Sequence, residues 1–410
     1  MSSQQPAVTF DSNVLNMLTS GPERVAEVNL DAIAHNVRTI RSLIGERTLI
    51  AVIKADAYGH GAAGIAQTVL DAGADALGLV HVREALALRA VGIDATLMAW
   101  LHTPSTDFVL AVQEGIILGA SGWDLEAIAY AAQQVGAVAR VHLKIDTGLG
   151  RNGWPPAGWP GHLRAAKELQ DAGLIAVEGI FTHLAVADEP DRKETDQQLD
   201  VFENMVSQAR AAGLNPELIH AANTPGTFTA ADKETGDILL GNGVRVGLGL
   251  YGLSPLAGVT SGDLNLRPAM TVSTRVNSVK EVPAGQGVSY GLNYSTPHAT
   301  TLALIPVGYA DGVPRVATGA PVRLYPNGKA EPRTYPVVGR IAMDQMVIDL
   351  GEPGLSAPEH GYLGARAVLF GEGENPPVEE WADAAGTINY EIVTRISPRV
   401  ARVHTTDKDA

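Results

Sequence analysis

Between Leu49 and Leu250 the chain alternates repeatedly between short apolar runs and segments with helical periodicity. The runs are Leu49–Lys54, Ala76–His81, Thr96–His102, Gly115–Ala120, Ala139–Ile145, Ile175–Leu184, Glu217–Ala222 and Val244–Leu250. Continuous apolar runs of this length read as strands buried on both faces. Helical patterns lie between most of them, most clearly at Ala62–Leu70, Arg83–Ala90, Pro104–Gln113, Leu125–Gln134, Gly161–Ala172 and Asp191–Ala212. Such alternation argues for parallel strands joined by crossover helices. Eight strands in this order match an α/β fold of the (β/α)8 TIM-type barrel class, which typically uses ~250 residues. The rival, an open doubly wound sheet, should show a Gly-x-Gly-x-x-Gly turn after its first strand. Lys54–Gly61 does not supply one.

The flanks read differently. Residues 1–22 are expected to be a polar extension that is poorly ordered or family-variable. Arg24–Leu30 alternates like a strand, and Asp31–Ile44 follows as an amphipathic helix placed to complete the outer ring. The barrel domain is expected over residues 23–265. Beyond it come short apolar runs with frequent Pro and Gly: Thr271–Val279, Thr301–Pro306, Pro321–Tyr325, Met346–Leu350 and Ala367–Phe370. Only Val378–Ala385 reads as helical there. A β-rich second domain over 266–404 and a frayed tail at 405–410 follow.

Composition narrows the function. The net charge of −15 argues against nucleic acid or an anionic membrane as partner, because phosphate backbones demand a basic surface. With no cysteine, disulfides, thiolate metal sites and cysteine nucleophiles are excluded. Met1–Gly21 lacks the basic-then-apolar pattern of a secretory signal, and no run is long enough to span a bilayer. A cytoplasmic protein is the expectation. His60, His81, His102 and His142 form no metal-ligand spacing, and no His-Glu-x-x-His pattern occurs, so no metal is expected.

Active sites of such barrels lie at the carboxyl ends of the strands. The polar residues falling there are Lys54, then Lys144, Asp146 and Arg151, then His183, Asn223, Thr224 and Arg245. Gly247 and Gly249 let a backbone approach a ligand closely. Charges in such places need partners. One anionic cofactor with a heteroaromatic ring would satisfy several. A lysine at a strand end is partly desolvated, which lowers its pKa and suits an amine that attacks carbonyls or moves protons. A surface lysine capping a strand is the plainer alternative.

Several stretches sharpen this. They are Lys54-Ala-Asp-Ala-Tyr58-Gly-His-Gly61, Lys144-Ile-Asp-Thr-Gly-Leu-Gly-Arg151, Thr182-His183-Leu184-Ala185, His220-Ala-Ala-Asn223-Thr224 and Val244-Arg245-Val246-Gly247-Leu248. Further on stand Val288-Ser289-Tyr290-Gly291, Gly308-Tyr309-Ala310-Asp311-Gly312, Gly339-Arg340-Ile341-Ala342-Met343-Asp344 and Asn389-Tyr390-Glu391. In this order and spacing, over roughly residues 24–404, the chain resembles the alanine racemases.

The resemblance implies pyridoxal 5'-phosphate (PLP) bound through a Schiff base to Lys54. Tyr58, Thr224, Tyr390 and the backbone around Gly247 and Leu248 would hold its phosphate, with Asn223 beside them. Arg245 would meet the pyridine nitrogen. A guanidinium there leaves that nitrogen unprotonated, which makes the ring a weaker electron sink. His183 would link Arg245 to the catalytic tyrosine. Lys54 would serve as base on one face of the substrate and Tyr290, from the second subunit of a homodimer, on the other. Arg151 would hold the substrate carboxylate, with Met343 of the second subunit; Tyr309, Arg315 and Arg340 would line the entrance, turn and surface roles being the alternative for these three. Lys144 matches a lysine that is often carbamylated, and an unmodified lysine paired with Asp146 remains equally open. Asp56 stands where asparagine is also common, and Thr224 where serine is usual.

The expected activity is PLP-dependent interconversion of L- and D-alanine, supplying D-alanine for peptidoglycan. The alternatives are a serine or broad-specificity racemase of the same fold, a decarboxylase, which Arg245 argues against, and a PLP carrier without turnover, which has no use for Tyr290 or Met343.

Overall fold

The computed structural model describes residues 22–230 and 236–408. The extension expected over 1–22 lies, but for Pro22, outside them. The chain forms two compact units: Val28–Met270 with the segment from His404, and Thr271–Val403 with the segment ending at Glu27. No helix among the described residues is long and apolar enough to cross a membrane.

Strand β1 (Arg24–Asn29) leads into helix α1 (Leu30–Ile44). The Asn29 side chain starts the helix by accepting from Asp31 N–H at 2.9 Å and Ala32 N–H at 3.1 Å. Gly45, at φ 63°, ends it. The inner face buries Ile33, Val37, Ile40 and Ile44, as their spacing predicts. Asn36 lies on that face and is fully buried, yet satisfied: its amide donates to Leu250 O and Arg267 O and accepts from Arg267 N–H.

The barrel strands are β2 (Thr48–Val52), β3 (Ala76–Leu79), β4 (Leu97–Ala99), β5 (Ile117–Ala120), β6 (Ala139–Lys144), β7 (Ile175–Phe181), β8 (Leu218–His220) and β9 (Gly243–Val246). They form one eight-stranded sheet, parallel throughout, in the order β8-β7-β6-β5-β4-β3-β2-β9. The ring is nearly closed. Across the β8/β9 seam Asn242 N–H reaches Ile219 O at 3.2 Å and Arg245 N–H reaches Ala222 O at 3.0 Å. The Asn242 side chain adds bonds to Ile219 N–H and Glu217 O. Ile50, Ala76, Met98, Ile117 and Phe181 pack in one core cluster with Trp100 and Leu218 against them. Small residues make room for large ones: a Cβ on Gly78 would fall 2.6 Å from the Trp100 ring, one on Gly119 2.8 Å from Trp100 Cβ, and one on Gly179 2.7 Å from the His142 ring.

Several strands stop earlier than their apolar runs. The runs to Lys54, Leu184 and Leu250 leave the ladder at Val52, Phe181 and Val246. Their last residues instead build turns at the barrel mouth, as in the 3-10 turn Leu248–Tyr251. The helix expected from Pro104 begins at Phe108, where Asp107 caps it, and that expected from Asp191 begins at Glu194.

The second unit is β-rich, around a nine-stranded sheet ordered β11-β14-β17-β16-β15-β18-β10-β1-β19. Its strands are β10 (Met270–Arg275), β11 (Ser278–Val282), β14 (Thr300–Ile305), β15 (Pro321–Tyr325), β16 (Arg333–Val338), β17 (Met346–Asp349), β18 (Arg366–Phe370) and β19 (Ala401–Thr405), and β12 (Gly287–Val288) with β13 (Tyr294–Ser295) makes a separate pair. The run Thr271–Val279 is two strands, because β10 pairs with β18 and β11 with β14. Arg333–Val338 is a strand beyond the runs expected; it carries Pro336, a residue unusual within a sheet, and pairs with both β15 and β17. A second helix, Asn389–Arg395, follows Val378–Ala385. Near the carboxyl end, Asp407 is tied down by Asn29, Arg267 and its own N–H to Asp31, so this part of the expected frayed tail is held.

Candidate active site

The sequence places Lys54 at the end of a strand, but the structure moves it two residues past β2, to the start of the short turn Lys54–Tyr58. The turn is left-handed: φ is 52° at Ala55, 54° at Asp56, 55° at Ala57 and 54° at Tyr58. Each such residue costs ~1–2 kcal/mol when it is not glycine, so the turn must be held from several sides. Ala57 N–H bonds to Ile53 O at 3.0 Å, Gly59 N–H to Ala55 O at 3.0 Å and Gly61 N–H to Asp56 O at 2.9 Å. Asp56 Oδ1 accepts from Ala62 N–H at 2.7 Å, and the buried His60 ring nitrogen Nδ1 contacts Ala57 O at 2.9 Å. His60 stacks on Tyr251, whose hydroxyl donates to Val52 O at 2.9 Å.

The turn puts Lys54 and Tyr58 on one side, the lysine amine 5.7 Å from the tyrosine ring centre. Burial lowers the Lys54 pKa, the Arg151 and Arg245 charges lower it further, and Glu84 opposes them. Tyr58 reaches over β9: a Cβ on Gly247 would fall 2.3 Å from its hydroxyl. Any side chain there would push that hydroxyl aside. Thr224, buried, accepts the Gly247 N–H at 3.0 Å, so two hydroxyls and the Gly247–Leu248 backbone converge. Such a donor set suits a phosphate in an acidic protein. The Asn223 side chain caps the next turn, accepting from Gly226 N–H at 3.1 Å.

Arg245, on β9, is buried and clamped. It donates to His220 O, Thr182 O and Ala221 O at 2.8, 2.6 and 3.0 Å and to His220 Nδ1 at 2.9 Å, and reaches His183 Nδ1 at 3.4 Å. Burial pulls it down to about 9. Its bonds fix the histidines beyond it. An arginine only donates, so His220 Nδ1 accepts; His220 Nε2 then carries the proton and donates to His142 Nδ1 at 2.9 Å. Burial pulls His142 down to about 3 and His220 well below its usual value, so both are neutral near pH 7. Neither histidine was assigned a role from sequence. The available signal was that His142 alternates with Lys144 along β6, which puts both on one face.

His183 is drawn down to about 2, by burial and then by Arg245, Arg151, Lys144 and Lys54. Lys144 is pushed to about 7 by burial and the Arg151 and Arg245 charges. Its amine donates to Asn152 Oδ1 and not to Asp146, whose carboxylate instead accepts from Gly148 and Gly150 N–H. Arg151 itself is exposed. Gln198, on the helix Glu194–Ala211, ties the neighbouring loops together through Thr147 Oγ1, His183 O and Ala185 N–H.

In the β-rich unit, Tyr290 opens the short turn Tyr290–Leu292 and is 69% exposed. Ser289 holds it by donating to Arg340 O at 2.6 Å. The loops bearing Tyr309 and Met343 are joined backbone to backbone: Tyr309 N–H bonds to Ala342 O and Ala310 N–H to Met343 O. A Cβ on Gly308 would strike Met343 O at 2.3 Å. Both side chains are exposed, at 37% and 53%. Tyr390 lies in the first turn of the helix Asn389–Arg395.

The chain matches the family described as alanine racemase, N-terminal domain, over residues 28–255 and that described as alanine racemase, C-terminal domain, over 269–404. It is 45% identical over 389 residues to an alanine racemase of Beutenbergia cavernae, covering 94% of this chain and 98% of that one. The crystal structure of alanine racemase from D-cycloserine producing Streptomyces lavendulae is similar at a TM-score of 0.87 and 43% identity, over 94% and 98% of the two chains. That of alanine racemase from Bacillus anthracis with bound L-Ala-P is similar at 0.80 and 32% identity, over 95% and 97%. With Lys54 at the start of its left-handed turn, its Tyr58–Thr224 cradle and matches across both units, the chain belongs to the alanine racemase family of isomerases.

Proposed function

We propose that the chain is a PLP-dependent enzyme that interconverts L- and D-alanine, works as a cytoplasmic homodimer and supplies D-alanine for peptidoglycan. The observation that carries this reading is the left-handed turn. It sets a lysine of lowered pKa beside a tyrosine whose hydroxyl closes over Gly247.

The residues fit the cofactor. Tyr58, Thr224, the Gly247–Leu248 backbone and Tyr390 would hold its phosphate, with Asn223 keeping Thr224 in place. Arg245 would meet its ring nitrogen. Bound PLP supplies an electron-withdrawing ring that makes the substrate Cα proton acidic. The chain does the rest. Arg151 and the Met343 backbone of the partner subunit hold the carboxylate, and Tyr309 of the partner subunit narrows the entrance. Lys54 moves the proton on one face and Tyr290 of the partner subunit on the other, since inversion needs a donor and an acceptor on opposite sides. A tyrosine of pKa near ~10 is a poor base at neutral pH. It needs nearby positive charge or hydrogen bonds, which Arg151 and the neutral His183 ring would supply; His183, drawn down to about 2, does not itself take up the proton. Lys144, buried at a pKa of about 7, is reactive enough as free amine to take up carbon dioxide, and the resulting carbamate would brace Arg151.

The test is incubation with PLP and L-alanine in deuterated water, followed by chiral chromatography with mass detection. D-alanine carrying one deuterium at Cα is expected. Wholly unlabelled L-alanine would overturn the reading, and parallel runs with L-serine and other amino acids separate an alanine enzyme from a broad-specificity racemase.

A further inference from the structure

The local hydrogen bonds of the Lys54 turn fix its shape, but two bonds to the neighbouring strand and helix fix its place. Ile53 N–H, just before the lysine, bonds to Gly78 O at 2.9 Å. Ala55 N–H, just after it, donates to Glu84 Oε1 at 2.8 Å. The other oxygen of that carboxylate accepts from Val80 N–H at 2.9 Å and His81 N–H at 3.0 Å, at the end of β3. A glutamate that only caps the helix Val82–Ala90 needs the last of these. The bond to Ala55 reaches across to the turn that follows β2. Among the described residues, Glu84 is also the acidic group whose charge acts on the Lys54 amine, where it opposes burial and the two arginines.

We propose that Glu84 is a positioning residue for Lys54: its carboxylate clamps Ala55 to the end of β3, fixing the lysine stem and keeping one negative charge near the amine. This rests on the reading of Lys54 as the base on one face. The carboxylate uses both oxygens on three donors. A glutamine has one accepting oxygen, so it must release either Ala55 or the pair at Val80 and His81. An aspartate keeps the charge but is one methylene short of spanning both ends.

The test compares the wild-type holoenzyme with Glu84→Gln and Glu84→Asp. Both variants lower kcat for alanine by about tenfold or more, within the range that displacing a reacting group costs. KM stays within about threefold, because the carboxylate contacts of Arg151 are untouched. Only Glu84→Gln moves the acid limb of the pH profile, measured in the direction that uses Lys54 as base. Losing the negative charge disfavours the ammonium, so that limb shifts to lower pH. Amide hydrogen exchange of the 53–58 segment rises in both, with distant segments unchanged.

A glutamate that merely caps its helix would give a lower thermal midpoint with kcat, pH limb and 53–58 exchange all unchanged, and that result overturns the proposal. Should neither variant fold, exchange in the wild type decides. A protected Ala55 amide supports the clamp, and one exchanging as fast as an open loop refutes it. A wild type that fails to racemise alanine sinks the functional reading alone, since the exchange measurement still judges the clamp.

Discussion

Apart from the exposed Arg151 of the barrel, several site residues of the two units are presented in opposite ways. In the barrel, Arg245, Thr224 and Lys144 are nearly fully buried and held by partners from the same unit. In the β-rich unit, Tyr290, Tyr309 and Met343 are exposed, though the backbone beneath them is firmly tied. Buried polar groups need their partners at once, so the barrel residues are preorganised by folding. Large exposed side chains on a fixed backbone are displayed, which is what residues need if they are to act in another subunit's site.

That contrast can be broken at several points. Lys54→Ala should lower racemisation at least ~10³-fold while leaving the fold intact, as read by turnover and circular dichroism. Tyr290→Phe should nearly abolish removal of the Cα proton from one enantiomer and affect the other less, as read by deuterium exchange. The same variant should change unfolding free energy by less than ~0.5 kcal/mol, because the side chain is exposed. Equal loss for both enantiomers would count against a one-face role. Gly247→Ala should weaken PLP binding by roughly tenfold to a hundredfold, in keeping with ~1–3 kcal/mol for a displaced hydrogen-bonding group, because its methyl would displace the Tyr58 hydroxyl. Equilibrium dialysis reads this directly.

Lys144 gives the subtlest test, in stability against pH. Its folded pKa of about 7 lies below the unfolded value of 10.5, so between those values the unfolded chain binds the proton and the folded one does not. Stability should therefore rise with pH across that window, and the cost of the buried charge is fully present below it. Urea unfolding in carbonate-free buffer at neutral and alkaline pH should show the rise, and Lys144→Gln should flatten it. A flat wild-type profile would mean that the amine is not free.

The barrel was legible because parallel strands covered on both faces must be apolar, and the helices between them carry their own period. The positions of Lys54, Arg245 and Thr224 at the mouth followed from that. The left-handed turn did not, because nothing in Ala55-Asp56-Ala57 announces positive φ; neighbouring structure imposes it. β16 lay beyond the expected runs; its Pro336 is tolerated because its missing N–H is lost only to one ladder position. The alternation of His142 with Lys144 hinted at a shared face, but the His220–His142 hydrogen bond itself depends on residues 78 apart meeting inside the ring.

The interior of that ring is a closed volume with several tenants. Trp100 occupies room that Gly78 on β3 and Gly119 on β5 leave empty, so these three positions cannot drift independently. Enlarging Gly78 demands a smaller side chain at position 100, whereas Gly119 lies against the Cβ and backbone there, which a smaller side chain does not clear; shrinking the tryptophan opens space beside Gly78. Mutational histories through this part of the barrel should therefore run as linked exchanges at positions 78 and 100, with Gly119 kept.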